Sequence, residues 1–165
     1  MKIEKEITIN KNIESAWKVL GHEFTDVHKW ASAVNHSEGK GNGINGAACS
    51  ERGCDIAGMG KTQEKLIEFS NDKHLLSYIV PEGMPSMIKR ATNTWQLISV
   101  GTDKSKLHME MNFTFGGIMG TIIQPMMKMM MSKMGNQMVE EFKYYVENGE
   151  AHPRKIKAMK KYRRA

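Results

Sequence analysis

Apolar and polar side chains alternate most regularly along residues 105–115. Five alternate positions carry large apolar side chains, and the residues between them are polar; the apolar positions are Leu107, Met109, Met111, Phe113 and Phe115. This period of two predicts an antiparallel β-strand with one face in the core and one in solvent. A similar pattern predicts a first strand in KIEKEITI and further strands at about 46–53, 60–70, 74–80 and 89–100.

Two short helices are predicted directly after the first strand. Asn12 precedes IESAWKVL, whose apolar residues recur at helical spacing, and Asn is a favourable N-cap residue. Thr25 precedes DVHKWASAV, in which Val27, Trp30 and Val34 also have helical spacing. Four glycines in GKGNGING, residues 39–46, predict a loop before the strands resume.

A long helix is predicted near the C-terminus. Thr121 followed by Gln124 has the capping-box pattern, Pro125 is tolerated near a helix start, and Gly149 with Pro153 forms a stop signal. A helix of about 25 residues is roughly 38 Å long at 1.5 Å per residue. The predicted order is therefore one strand, two short helices, five or six antiparallel strands and one long helix, an α+β arrangement.

Methionine is concentrated in this helix, where residues 126–134 read MMKMMMSKM. Helical spacing predicts an apolar stripe facing the sheet, made of Ile123, Met127, Met130, Met134, Met138, Phe142 and Tyr145. Met126, Met129 and Met131 widen it. Flexible thioether side chains suit an ordinary core, an adaptable ligand cavity, a copper(I) site or a surface that binds another chain, and the sequence leaves these alternatives open.

The net charge of +6 is concentrated at the C-terminus. Seven basic residues and no acidic residue follow Glu150, so residues 1–153 carry a net charge of −1. A basic folded surface for nucleic acid is therefore not predicted. We expect one domain over residues 1–150 and a basic extension over residues 151–165, which is a candidate for weak contact with anionic membrane or RNA.

Cysteine and histidine do not form a recognised metal motif in this sequence. Cys49 and Cys54 are five residues apart, and the scattered histidines add no zinc-binding spacing. The N-terminal sequence lacks the apolar segment of a secretory signal. We therefore expect a cytoplasmic protein with both cysteines reduced, no metal site and no tightly held cofactor.

Several segments resemble the START-related helix-grip superfamily, also called SRPBCC, which includes polyketide cyclases and dehydrases, lipid transport proteins and pollen-allergen-type binders. They are ITINKNIESAWKVL, TQEKLIEFSNDKHLLSYIV, RATNTWQL and HPRKIKA, together with Trp30, Val34 and Ser37. Their order and spacing extend over nearly the whole chain. One departure is that many similar proteins have an Arg shortly after the Gly that opens the third strand, whereas GAACSER has Ala and Cys there and Arg52 later.

The resemblance implies a helix-grip fold, in which a curved antiparallel sheet wraps around the long C-terminal helix and leaves an apolar cavity. The loops at residues 53–60 and 81–87 are expected to border the mouth of the cavity. From this fold, strand parity and the methionine stripe, we expect the ligand-binding residues to be Trp30, Met59, Glu64, Tyr78, Met84, Asn93, Trp95, Met109, Met111, Phe113, Phe115, Met127, Met130, Met134 and Met138.

The function implied by the resemblance is binding of a small or medium hydrophobic ligand, lipid-like or polyketide-like. The alternative is a cofactor-independent cyclase or dehydratase that uses the same cavity, and it requires a group positioned to move a proton. Glu64, Tyr78 and Asn93 are the candidates for that role. A third hypothesis, a protein whose methionine-rich helix binds another chain, stays open, as does the oligomeric state.

Overall fold

A curved antiparallel sheet of seven strands holds one long helix in this computed structural model, which describes residues 1–163. The strands are β1 (Lys2–Ile9), β2 (Val34–Lys40), β3 (Glu51–Ile56), β4 (Gly60–Ser70), β5 (Leu75–Glu82), β6 (Ile88–Gly101) and β7 (Lys104–Phe115). The helices are α1 (Ile13–Trp17), α2 (Gly117–Asn148) and α3 (Pro153–Tyr162). The strand order β1-β7-β6-β5-β4-β3-β2 places the two N-terminal strands at opposite edges. The predicted α+β helix-grip fold is confirmed.

The close approach of α2 to β7 brings the helix onto the apolar face of the sheet. Met109 and Met111 are buried on the alternating inward face of β7, as predicted. A Cβ atom at Gly135 of α2 would lie 2.9 Å from Met111 Cε and 3.1 Å from Met109 Cε. A glycine at this position therefore lets the helix and the strand pack in direct contact.

The region between the first helix and β3 differs from the prediction. The second short helix was expected to reach Val34, but the structure has a 3₁₀-helix over Phe24–Lys29, and Val34 instead begins β2. The sequence of β2, VNHSEGK, has few apolar residues because this edge strand is mostly exposed, so hydrophobic periodicity gives no signal there. The next strand, expected at residues 46–53, is β3 at Glu51–Ile56.

The long helix begins before the predicted cap. Gly116 is its N-cap, and Gly117 has φ +74°, a conformation that glycine adopts at little cost. Pro125 consequently lies inside α2, and the side chain of Thr121, the predicted cap, is outside what the structure describes. Within residues 1–163, no helix combines the length and apolar character needed to cross a membrane.

The methionine stripe was assigned wrongly at one position. Met130 is 48% exposed, whereas Met131 is 2% exposed and packs in the core. With 3.6 residues per turn, the buried line runs from Met127 through Met131 to Met134, and Met130 lies at its margin.

Position 21 has no room for a side chain, because it lies against Trp17. Trp17 is buried in the core at the end of α1. A Cβ atom at Gly21 would lie 2.5 Å from Trp17 Cε2 and Cζ2. The indole is held in place because its Nε1–H donates to Asn71 Oδ1 at 2.9 Å and its ring packs 5.2 Å from the Phe69 ring, centre to centre.

We expect Gly21→Ala to lower the free energy of unfolding by about 1–3 kcal/mol, the usual range for overpacking a core. Urea denaturation measures the change. Gly101→Ala is the control, because the nearest atom to its Cβ would be 3.7 Å away, an ordinary contact. Equal unfolding midpoints for the two variants would contradict this account of Gly21.

The C-terminal extension forms α3, and two of its basic residues contact the rest of the domain. Lys155 is buried, and its Nζ donates to the backbone oxygen of Val34 at 2.6 Å. Arg154 pairs with Glu140 at 3.0 Å and with the buried Glu141 at 2.9 Å. The other basic residues of α3 are exposed, and Arg164 lies outside the described residues.

Candidate functional site

A cavity lies between the sheet and α2. Its empty space is about 730 Å³ including the open mouth, and the centres of water-sized molecules can occupy about 100 Å³ of it. The centre of a single water molecule needs about 10–15 Å³ of such space. The 100 Å³ available here is therefore enough for a small organic molecule. Its lining includes six methionines, namely Met59, Met84, Met111, Met131, Met134 and Met138. Unbranched thioether side chains can adjust to guests of different shape at little strain.

Two loops contribute methionines to the lining of the cavity. Met59 lies in the turn between β3 and β4, and Met84 lies in the loop between β5 and β6. The second loop is joined to the start of α2, where the Gly116 N–H donates to the backbone oxygen of Met87 at 2.9 Å. Both segments that were expected to border the mouth therefore contribute a side chain to the cavity.

Nine of the fifteen residues expected in the ligand site line this cavity: Met59, Glu64, Tyr78, Met84, Asn93, Met111, Phe113, Met134 and Met138. The other six do not line it, although Trp30 and Trp95 line a smaller pocket that shares Arg52, Tyr78 and Met138 with this cavity. Trp30 and Trp95 form an aromatic cluster with Phe142, with ring centres 5.4–6.3 Å apart. Met109 and Met127 are buried in the core, Phe115 is partly buried against it, and Met130 is exposed.

Sequence reasoning missed several lining residues, of which Arg52 and Met131 matter most. Arg52 and Cys54 alternate with less buried neighbours along β3, and this period of two could have shown that they point inward. The predicted strand covered residues 46–53, which placed Arg52 next to its end. The alternation between Arg52 and Cys54 was therefore not recognised. Met131 was missed through the same error that placed Met130 in the stripe.

Arg52 and Glu64 form a buried ion pair on the cavity wall. They are direct cross-strand neighbours on β3 and β4 and are only 5% and 8% exposed. Glu64 Oε2 accepts from Arg52 Nε at 2.7 Å and pairs with Nη2 at 2.5 Å. Arg52 also donates from Nη1 to the backbone oxygen of Phe24, and its guanidinium carbon lies 3.9 Å from the centre of the Phe24 ring.

The electrostatics of this pair keep Arg52 charged. Burial is the largest single influence and opposes the charged guanidinium, but the Glu64 carboxylate, Cys54 and Tyr78 together outweigh it and raise the pKa of Arg52. Glu64 Oε2 carries both contacts to Arg52, and no donor in residues 1–163 contacts Glu64 Oε1. Because Glu64 lines the cavity, its Oε1 is a candidate acceptor for a ligand.

Tyr78 and Asn93 form a second polar pair, as direct neighbours on β5 and β6. Asn93 Nδ2 donates to the Tyr78 hydroxyl oxygen at 3.0 Å. Asn93 is 7% exposed, and its Oδ1 is buried without a hydrogen-bond partner among the described residues. Burial, reinforced by the Glu64 carboxylate, raises the pKa of Tyr78, so the phenol stays protonated and can donate.

Together these four residues form a polar corner, a name we use for Arg52, Glu64, Tyr78 and Asn93. The Arg52 guanidinium carbon lies 5.5 Å from the centre of the Tyr78 ring, which joins the two pairs. Cys54 lies beside them, with Sγ 3.7 Å from Glu64 Oε2, and burial raises the pKa of its thiol to about 12. A thiol that stays protonated is a poor nucleophile.

A group of potential metal ligands lies away from this cavity. Glu4, His108 and Glu110 have ligand atoms within 4.8 Å of one another. Lys2 Nζ lies 2.9 Å from Glu4 and 2.8 Å from Glu110, so both carboxylates already pair with a lysine. The closeness of Glu4, His108 and Glu110 is therefore explained by a network of ion pairs at the surface.

Solved structures with the same fold are found at low sequence identity. A START superfamily protein from Mycobacterium smegmatis is 11% identical, with TM-score 0.74 over 88% of this chain and 97% of that one. Protein XoxI from Bacillus cereus is 14% identical, with TM-score 0.73 over 92% and 99%. Truncated norcoclaurine synthase from Thalictrum flavum is 15% identical, with TM-score 0.69 over 90% and 94%. At these identities the similarity establishes the fold alone.

A comparison with protein-family models is more specific. No match is found among curated protein sequences. Residues 1–147 match the model described as "Polyketide cyclase / dehydrase and lipid transport", which covers the sheet and nearly all of α2. The chain therefore belongs to the polyketide cyclase/dehydrase and lipid transport family and has its START-like fold.

Proposed function

We propose that this protein binds a small or medium hydrophobic molecule that carries one polar end. The observation that carries the proposal is a methionine-lined cavity whose lining includes Asn93, a residue whose buried Oδ1 has no hydrogen-bond partner among the described residues. A buried acceptor without a partner costs about 1–3 kcal/mol. A ligand hydroxyl or N–H group recovers that cost, while the apolar body of the ligand packs against the thioether side chains.

The polar pair can recognise both a donor and an acceptor on one ligand group. Asn93 Oδ1 accepts, and the Tyr78 hydroxyl, whose oxygen already accepts from Asn93, has its own hydrogen free to donate. A ligand hydroxyl satisfies both at once, whereas a hydrocarbon of the same shape satisfies neither. The preferred ligand class is therefore an amphipathic alcohol or phenol rather than a pure hydrocarbon.

Two probes of the same shape test this preference: 2-naphthol and naphthalene. We expect wild-type protein to bind 2-naphthol about tenfold more tightly, because one good hydrogen bond is worth about 1–1.5 kcal/mol. Isothermal titration calorimetry measures both affinities. In Tyr78→Phe/Asn93→Leu, which replaces both polar groups with apolar ones, the preference is expected to disappear while naphthalene binding remains.

The control for this experiment is Ser77→Ala/Thr94→Ala. Ser77 and Thr94 are also cross-strand neighbours on β5 and β6, with their hydroxyl oxygens 2.8 Å apart, but they do not line the cavity. This variant is expected to keep the preference for 2-naphthol. Equal affinities of the wild-type protein for the two probes would contradict the assigned role of Asn93.

A cofactor-independent enzyme is the second candidate function, and the free Glu64 Oε1 favours it. A carboxylate oxygen at the wall of a mostly apolar cavity can accept a proton from a bound carbon acid. The compound 2-tetralone is a suitable probe because its hydrogens next to the carbonyl exchange with deuterated solvent. An enzyme is expected to accelerate that exchange and to lose the acceleration in Glu64→Gln, whereas a carrier binds 2-tetralone without accelerating exchange.

A further inference from the structure

The outward face of α2 carries a continuous exposed apolar stripe. Its members recur at intervals of about one turn over the first half of the helix, and each is between 48% and 82% exposed: Ile118, Met119, Ile122, Met126, Met129 and Met130. We call these six residues the outer stripe. Most of them lie on the other side of the helix from Met127, Met131 and Met134, which face the core and the cavity, and Met130 lies at the margin between the two groups. Core packing therefore gives no reason for their apolar character.

The start of the outer stripe is joined to a loop that contributes to the cavity wall. The first turn of α2 contains Ile118 and Met119, and the Gly116 N–H just before it bonds to Met87 in the loop between β5 and β6. The same loop carries Met84, which lines the cavity. A partner that covers the start of the outer stripe therefore lies close to this part of the cavity wall.

The charged residues along the first half of α2 and at the adjoining start of β6 are all basic. No acidic residue occurs between Met111 and Val139 or between Gly83 and Thr102, and Glu82 is the nearest acidic residue on the loop side. Lys128 and Lys133 on α2 and Lys89 and Arg90 on β6 are exposed. None of these four forms an ion pair within residues 1–163. The surface therefore combines apolar side chains with unpaired positive charge.

We propose that the outer stripe docks on a membrane surface containing anionic phospholipid. Ile and Met side chains enter the interface between headgroups and acyl chains, and the surrounding Lys and Arg residues contact anionic headgroups. A second copy of this chain fits less well. A symmetric contact through this face would bring Lys128 and Lys133 towards the same residues of the other copy.

Docking also brings the loop that carries Met84, part of the cavity wall, close to the bilayer, which gives a hydrophobic ligand a short route between lipid and cavity. The transfer of a ligand between bilayer and cavity rests on the proposed function, whereas docking on the membrane does not. The two claims are separable because the outer stripe does not line the cavity. A variant of the outer stripe is therefore expected to bind 2-naphthol with wild-type affinity.

Vesicle co-sedimentation tests the docking. The probes are vesicles of phosphatidylcholine alone and vesicles with about one third phosphatidylglycerol. We expect the wild-type protein to partition at least about tenfold more strongly onto the anionic vesicles and to be released by high salt, because screening weakens surface electrostatics. Ile118→Ser/Ile122→Ser/Met126→Ser is expected to reduce this partitioning about tenfold or more.

Two control variants separate the outer stripe from other surfaces. Ile98→Ser/Val100→Ser removes apolar side chains of similar exposure at the far end of β6 and is expected to bind vesicles like wild type. Lys160→Glu/Lys161→Glu alters the exposed basic face of α3 and is expected to retain most of the binding. Binding that depends on the α3 lysines and not on the outer stripe would overturn the proposal.

Two further results would also overturn it. One is the absence of wild-type partitioning onto either kind of vesicle. The other is a dimer, measured by light scattering, that the triple serine variant converts to a monomer while vesicle binding is unchanged. The second result would assign the outer stripe to a second copy of the chain.

Discussion

Arg52→Met is expected to lower the free energy of unfolding by about 3–5 kcal/mol, the usual cost of removing one partner of a buried ion pair. The variant leaves the Glu64 carboxylate at a site where it is 8% exposed, without the guanidinium that contacts its Oε2. It also removes the donor to the backbone oxygen of Phe24. Urea or thermal unfolding, followed by circular dichroism, measures the loss.

The double variant Arg52→Met/Glu64→Met removes both charges. Comparing it with Arg52→Met separates the cost of losing the ion pair from the cost of leaving one buried charge without a partner. Replacing a whole buried pair with apolar side chains of similar size is often neutral or stabilising, so the double variant is expected to recover most of the stability. The matched control is Lys65→Met, because Lys65 lies 4.0 Å from Glu51 on the exposed surface and such pairs contribute about 0–1 kcal/mol. A loss for Arg52→Met no larger than for Lys65→Met would contradict the description of a buried charged pair.

Ala91→Phe is expected to reduce the affinity for 2-naphthol by about 100-fold or more. Ala91 is a buried lining residue of the cavity, directly opposite Phe113 on the neighbouring strand. A phenyl ring at this position occupies the space that a ligand needs. Because that space is empty in the protein, we expect the free energy of unfolding to change by less than the roughly 1–3 kcal/mol typical of overpacking.

The matched control for Ala91→Phe lies on the same strand. Val100 is 50% exposed near the end of β6 and does not line the cavity, so Val100→Phe is expected to leave the affinity unchanged. Calorimetric titration with 2-naphthol measures the affinities of both variants. Unchanged affinity in a folded Ala91→Phe protein would place the ligand somewhere other than this cavity.

The fold could be predicted from sequence because its main elements carry strong periodic signals. The alternation of β7 directly reflects a strand with one buried face, and most of α2 follows from helical spacing and a clear stop signal at Gly149. The element that escaped prediction, β2, is an edge strand with four exposed residues out of seven. Such a strand is held by backbone hydrogen bonds to β3, and its side chains need not alternate.

The polar corner could be predicted only in part. Strand parity correctly placed Glu64, Tyr78 and Asn93 at the cavity, because parity requires only the boundaries of one strand. The partner of Glu64 could not be found in this way, since it depends on the register that places Arg52 opposite Glu64 across β3 and β4. Register is a property of the assembled sheet, set by turns and by the packing of many residues.

The methionines of α2 fall into groups with different surroundings, which sequence spacing alone could not separate. Met131, Met134 and Met138 line the cavity, whereas Met126 and Met129 lie on the exposed outer stripe. Two different faces of α2 therefore carry methionine for different reasons. We attribute the inner group to an adaptable ligand wall and the outer group to membrane contact.

Native mass spectrometry of protein purified from cells, without detergent or added ligand, tests the central claim most directly. The cavity and its unpaired Asn93 oxygen predict that wild-type protein carries a small hydrophobic molecule, observed as an added mass that is lost on collisional activation. The folded Ala91→Phe variant is expected to show the bare chain. A bare wild-type chain, together with no thermal shift on addition of 2-naphthol, would contradict the account.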